Sequence, residues 1–153
     1  MESELRTLQE AIVERLQSDS TLSGVAIMHQ DVGNIGSNIA QALTQAKGAY
    51  MLVMILGVSV DSPTQPGPYF DNIGIRVETG ENYILNRTPR GTNITALQLA
   101  ERALSRLHHW TPPGSGACLY ASKQAIAASV PPKGSQIAYI ASLETSDGVD
   151  NSN

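Results

Sequence analysis

Three histidines, one cysteine and one glycine-bearing loop are the places where this chain could do chemistry. A metal ion needs several ligands that converge on one point. His108 and His109 are adjacent, so on a helix they point about 100° apart and cannot close on one ion together. His29 stands far from them in sequence, and Cys118 has no second cysteine to join it. Nucleophilic catalysis needs a serine or cysteine beside a base, with a third group to orient that base. Gly-x-Ser-x-Gly is absent, and the carboxylates gather near the N-terminus and in loops. Gly33-x-x-Gly36-Ser37 follows a strand candidate and opens a helix, where backbone N–H groups can cradle an anion. A P-loop would need a lysine directly before the serine, and here none comes until Lys47. The dinucleotide pattern lacks its third glycine. These residues therefore predict a turn and a helix start, with no catalytic residue, no metal and no cofactor.

Composition points the same way. With 153 residues and 41% apolar content, the chain can build one core without metal or disulfide support. The expected division is a single α+β domain over residues 1–144 and a polar C-terminal tail over 145–153. The net charge is -4, and the Lys+Arg count of 10 contains no basic run, so the chain has no footprint for gripping nucleic acid. A lone cysteine and the acidic Met-Glu-Ser-Glu-Leu start predict folding in a reducing cytoplasm. The longest apolar run, residues 49–56, is well short of the ~20 needed to span a bilayer, so no membrane segment is expected.

The elements that must position these residues are marked by period and punctuation. Leu5, Leu8, Ile12 and Leu16 form one stripe of a first helix over residues 3–16. Residues 25–28 read as a short strand, and residues 39–46 as a weak helix closed by Gly48. Residues 50–56 are apolar on both faces, as in a central strand covered twice, and a neighbouring subunit could supply the second cover. The loop 61–71 holds three prolines and cannot lie inside a sheet. Ile73, Ile75, Val77 and Thr79 alternate with polar residues and glycine, so this strand should pair antiparallel with the one before the loop. The clearest helix lies between Gly91 and Trp110, with Leu97, Ala100, Leu104 and Leu107 on one stripe, Thr92 or Asn93 as its cap, and Pro112-Pro113 as its stop. Strands follow over 118–121 and 125–130, then 136–143, with a hairpin about Pro131-Pro-Lys-Gly. The fold class is α+β: a mostly antiparallel β-sheet against two main helices, with a short extra helix.

This order resembles the tail terminator, or tail completion, proteins of tailed bacteriophages. The resemblance rests on an N-terminal helix, a very apolar strand, a loop and a strand carrying Val77-Glu78. Asn86-Arg87 and Gly91-Thr92 then open a helix ending in Leu107-His108, and a hairpin closes the domain. It covers most of residues 1–145 and leaves out residues 31–48. It implies a structural virion protein rather than an enzyme, assembled in the host cytoplasm and placed at the head-proximal end of the tail. Its subunits form a homo-oligomeric ring, typically a hexamer, between the tail tube protein and a head-side connector or neck protein. DNA passes through such a ring without stable binding, which suits an acidic chain with no basic patch. A head-tail connector, neck or tail-tube subunit is the nearest alternative, and a small-molecule binding domain or enzyme using His29 and the Gly33 loop is the alternative of another class.

A ring requires one patch of each subunit to meet a different patch on the next. The residues expected to supply it are Pro66, Pro68, Tyr69 and Phe70 on the proline-rich arm, Arg87 and Arg90 before the main helix, and Glu144 and Asp147 at the tail. Prolines limit the arm's freedom before docking, and aromatic side chains bring large apolar area at few rotors.

Overall fold

The computed structural model describes residues 4–59, 72–113 and 118–146. Five strands form one mixed sheet: β1 (Ala26–His29), β2 (Ala49–Ser59), β3 (Asn72–Glu81), β4 (Cys118–Ala128) and β5 (Ile137–Ser146), in the order β1-β2-β3-β5-β4. Only β1 and β2 run parallel; the other three pairings are antiparallel. Among the described residues, four α-helices complete the α+β fold: α1 (Glu4–Gln17), α2 (Ile35–Thr44), the single turn α3 (Tyr83–Asn86) and α4 (Ala96–Leu107).

The two core layers lie on opposite faces of the sheet. On one face, Leu8, Ile12 and Leu16 of α1 and Leu99, Ala100, Ala103 and Leu107 of α4 meet Met51, Val53, Ile75, Val77, Ala141 and Leu143. Burying one such leucine contributes about 1.5–3 kcal/mol. On the other face, Ile39, Ala42 and Leu43 of α2 cover Met28, Tyr50 and Leu52. The second cover of β2 thus comes from α2 of the same chain, and needs no neighbouring subunit there. β3, not β2, holds the middle of the sheet. β2 is buried from Ala49 to Val53 and exposed from Leu56 to Ser59, so its uniform apolar sequence spans two different environments.

β2 and β3 pair antiparallel as their alternation predicts, with an irregularity between Ile55 and Gly57. The hairpin about residues 131–134 joins β4 to β5. Residues 118–121 and 125–130 prove to belong mostly to one strand, β4, with a bulge between Ala121 and Ile126 where sequence reading saw a break. The short apolar piece at Tyr83 is a helical turn capped by Asn82, whose side chain accepts from Ile84 N–H.

α4 starts later than Thr92 or Asn93. Thr95 is its cap, in a reciprocal box with Gln98 at 3.2 and 2.9 Å. The buried stripe accordingly runs through Ala96, Leu99, Ala100, Ala103 and Leu107, while Leu97 is 42% exposed. β5 also runs past the expected strand end at residue 143: Glu144 to Ser146 are strand, and the buried Thr145 accepts from Ile73 N–H through its hydroxyl at 2.9 Å. Gly48 follows α2 with φ of +84°, and a Cβ there would come within 2.9 Å of Asn86 N, so only glycine fits comfortably.

Candidate subunit interface

The titratable groups with perturbed surroundings are engaged in holding elements together. Glu81, at the end of β3, has no solvent exposure. Its carboxylate accepts from Arg87 Nε and Nη2, both at 3.0 Å, from Asn86 Nδ2 at 3.0 Å, and from Ala96 N–H at 2.6 Å. Burial pushes the Glu81 carboxyl up, but the bonds from Arg87, Asn86 and Ala96 more than offset it and hold it below the usual carboxylate range. The last of these bonds places the charge at the first turn of α4, where the helix dipole favours an anion. Asn86 links the same knot to Ile94 O and to Thr92. Gly91 lies so close that an added Cβ would sit 2.1 Å from Asn86 O.

A second knot ties the end of α1 to α4. Asp19 accepts from Arg102 and from Thr21, and lies 3.9 Å from Arg106. The Arg102 hydrogen bond holds the Asp19 carboxyl well below the usual range, against the opposing effect of burial. On the α2 side, Tyr50 donates to Glu78 Oε1 at 2.6 Å. Burial and then the Glu78 carboxylate push this phenol up.

The groups that could have formed a chemical site lie apart. His29 ends β1 and Cys118 begins β4, on opposite edges of the sheet, while Ser37 is in α2. His29 Nδ1 accepts from Asp31 N–H and closes the turn after β1. Asn34, before α2, has φ of 57° and gives no side-chain cap. The two later histidines depart from the helical expectation, because α4 has ended and His109 has φ of 65°. Their rings come within 4.1 Å, with Tyr120 edge-on to both, and His108 Nδ1 accepts from Ala121 N–H. Among the described residues no group of three His, Cys, Asp or Glu side chains is placed to hold a metal. Trp110 packs against the core with Arg15 over its ring at 5.2 Å.

Of the residues expected at a subunit interface, Pro66, Pro68, Tyr69, Phe70 and Asp147 lie outside the described residues. Arg87 has Glu81 as an internal partner and still exposes 45% of its side chain. Arg90 is exposed in the loop before α4, and Glu144 is exposed on β5, opposite Gly74 and Tyr120. The structure does not bring these three to one point of contact with a single element. What sequence reading missed is the outer half of β2, where Leu56 is 55% and Val58 is 36% exposed beside strand residues that carry no charge. The signal was present in the length mismatch of the first two strands, four residues against eleven. No family model matches the sequence, and no curated protein matches it.

Proposed function

We propose that this chain is a structural virion subunit, a tail terminator that forms a ring on the end of a bacteriophage tail tube and joins it to the head-side connector. The observation that carries this reading is the arrangement of the elements on which the resemblance rests. α1 and α4 share one face of a sheet in which the apolar β2, the Val77-Glu78 strand and the closing hairpin are neighbours. Two features support it further. The perturbed carboxylates are held in bonds between elements, as a scaffold requires, and the acidic balance of -4 suits passage of DNA better than retention. Exposed apolar side chains on β2 adjoin in sequence the proline-rich arm bearing Tyr69 and Phe70, so one contiguous stretch offers anchors to another subunit.

The experiment is to add the purified chain to a tail tube protein during tube polymerisation. A terminator stops elongation and leaves a ring at one end of each tube in electron micrographs. Unchanged tube lengths with bare ends would overturn the terminator role.

A further inference from the structure

On each side of the sheet, part of the edge is covered and part is bare. β1 covers β2 only from Tyr50 to Val53, so residues 54–59 form an overhang with no strand on the β1 side among the described residues. Gln30 Oε1 accepts from Ile55 N–H at 2.6 Å and satisfies the first donor there. Further out, Val58 opposes Ile73, whose N–H is turned toward β5 and donates to Thr145 Oγ1. Val58 therefore turns its own N–H and C=O away from β3, to the bare side. At the opposite edge, residues 108–110 close the first half of β4. Leu119 O accepts from His109 N–H, Leu119 N–H donates to Trp110 O, and Ala121 N–H donates to His108 Nδ1. Past the bulge the edge opens. Ser129 N–H donates inward to Ala138 O, so by alternation Ile126 and Ala128 turn their N–H and C=O groups outward. No hydrogen bond meets these groups among the described residues.

The two bare stretches suit one another. Residues 54–59 read Met-Ile-Leu-Gly-Val-Ser and residues 124–130 read Gln-Ala-Ile-Ala-Ala-Ser-Val, so pairing them buries no charge. Neither holds the charges or prolines that normally keep an exposed edge from pairing. Each also leaves apolar side chains in water: Leu56 is 55% exposed and Val130 87%. Val58 opposes Ile73 and Ala128 opposes Tyr139, and both of those partners belong to the core under α1 and α4. Val58 and Ala128 thus lie on the same face of the sheet, and joining them keeps the helical layers of two copies on one side. Three successive antiparallel pairings make β2 and β4 run in opposite directions. Copies related by rotation therefore bring β4 of one against β2 of the next antiparallel, without either being flipped.

We infer that the overhang of β2 pairs antiparallel with the open half of β4 in a second copy of this chain, Val58 opposite Ala128, so that successive sheets join edge to edge. This inference rests on the ring-forming reading above and names its contact. Val58 N–H donates to Ala128 O and Ala128 N–H to Val58 O, while Leu56 and Val130 lose exposure to water. β1 sets the register, because it lies in the column that β4 of the other copy enters. His29 is level with Val53, four ladder steps from Val58. With Val58 opposite Ala128, His29 comes level with Pro132, where the hairpin leans toward α2; a Cβ on Gly134 would meet Leu43 at 3.8 Å. With Val58 opposite Ile126, His29 would run into Val130. The chosen register also suits a ring. Within one copy, Val58 lies on the row of Ile73 and Ala128 on the row of Thr79, six residues along β3. Successive copies are then staggered by roughly 20 Å along the strands for roughly 19 Å, four strands, across them. A sheet sheared in that proportion tilts its strands roughly 45° from the axis on which it closes, at the upper end of the ~35–45° of closed sheets.

Paired cysteines test the contact. Ser59 and Ala127 stand opposite each other in a non-hydrogen-bonded pair of this ladder, with Cα atoms about 4.5 Å apart, within reach of a disulfide. Within one subunit they are three strand spacings apart, at least roughly 14 Å, too far to bridge. Ser59→Cys and Ala127→Cys are combined in a full chain that also carries Cys118→Ser, oxidised, and run on a non-reducing gel. The expected result is a ladder of covalent multimers that neither single cysteine gives. In parallel, Ala128→Pro removes one outward N–H that has no partner within the subunit. It should weaken self-association at least tenfold in sedimentation while leaving the urea midpoint of the subunit unchanged, as proline on an open edge does. If it unfolds the chain instead, the cysteine pair decides alone. Assembly with no ladder, undisturbed by Ala128→Pro, overturns the edge contact and leaves the ring standing. A wild-type chain that stays monomeric, with no ladder from the cysteine pair, overturns both.

Discussion

The two ends of β3 lie in opposite kinds of surroundings. At Glu81 the strand finishes in a dry knot in which the carboxylate is bonded to Arg87, Asn86 and α4, and the loop is packed so tightly that Gly91 has no room for a methyl group. At Asn72 it begins beside the overhang of β2, where apolar side chains stand in water and the sheet edge is bare among the described residues. The first end is finished within the subunit. The second has the character of a surface that is completed by another molecule. Substitutions at the two ends should accordingly act on different quantities, folding at one and assembly at the other.

The largest effect on folding is expected from Glu81→Ala. It leaves the Ala96 N–H and one of the two Asn86 amide N–H groups buried without an acceptor, while the other keeps Ile94 O, at a cost of about 3 kcal/mol. Arg87 adds less than its geometry suggests, because its half-exposed side chain is screened by water. Urea unfolding measures the loss; a change below about 1 kcal/mol would mean that the knot is relaxed in solution. Gly91→Ala should follow at about 2 kcal/mol, from forcing a Cβ into the Asn86 backbone. A wild-type midpoint for this variant would show that Gly91 and Asn86 do not approach so closely in solution.

Acid should next weaken both carboxylate knots, that of Glu81 at the closed end and that of Asp19 between α1 and α4. Asp19 and Glu81 both have folded pKa values below their unfolded ones. Their contribution is fully present above the ordinary carboxylate value of about 4 and is lost progressively as pH falls below it. Stability measured from pH 6 to pH 3 should therefore decline, and Asp19→Asn should flatten that slope. An identical slope in the variant would show that Asp19 is not held as described. The smallest folding effect belongs to the open end. Leu56→Gln and Val58→Thr should each shift subunit stability by no more than about 0.5 kcal/mol, as exposed positions do. A loss of several kcal/mol there would place these side chains in the subunit's own core and erase the contrast between the ends.

Much of this fold was legible because period and burial agree. The Leu8, Ile12 and Leu16 spacing, the alternation of Ile73, Ile75 and Val77, and the hairpin about Pro131 each state their partner face directly. The main helix was legible in extent but not in phase, because Leu97 and Leu99 are the same residue type and only the position of the Thr95 cap decides which of them turns inward. The Glu81 knot could not be read at all, since it joins residues 81, 86, 87 and 96 through a loop geometry that no local period encodes. The overhang was hidden for a different reason. Residues 49–56 are apolar throughout, and whether an apolar residue is covered depends on the length of β1, four residues, which lies elsewhere in the chain. The proline-rich arm, with Tyr69 and Phe70, keeps the standing that its sequence gives it, as an expected anchor for a neighbouring copy.

If the chain forms the proposed ring, further copies of the same chain complete the open end of the sheet. Native mass spectrometry of the full chain across a range of concentrations is the test. The expected result is one dominant closed oligomer, a hexamer if the resemblance holds in copy number, with no continuous series of longer species. A monomer at every concentration, or an open-ended series that never closes, would rule the ring out.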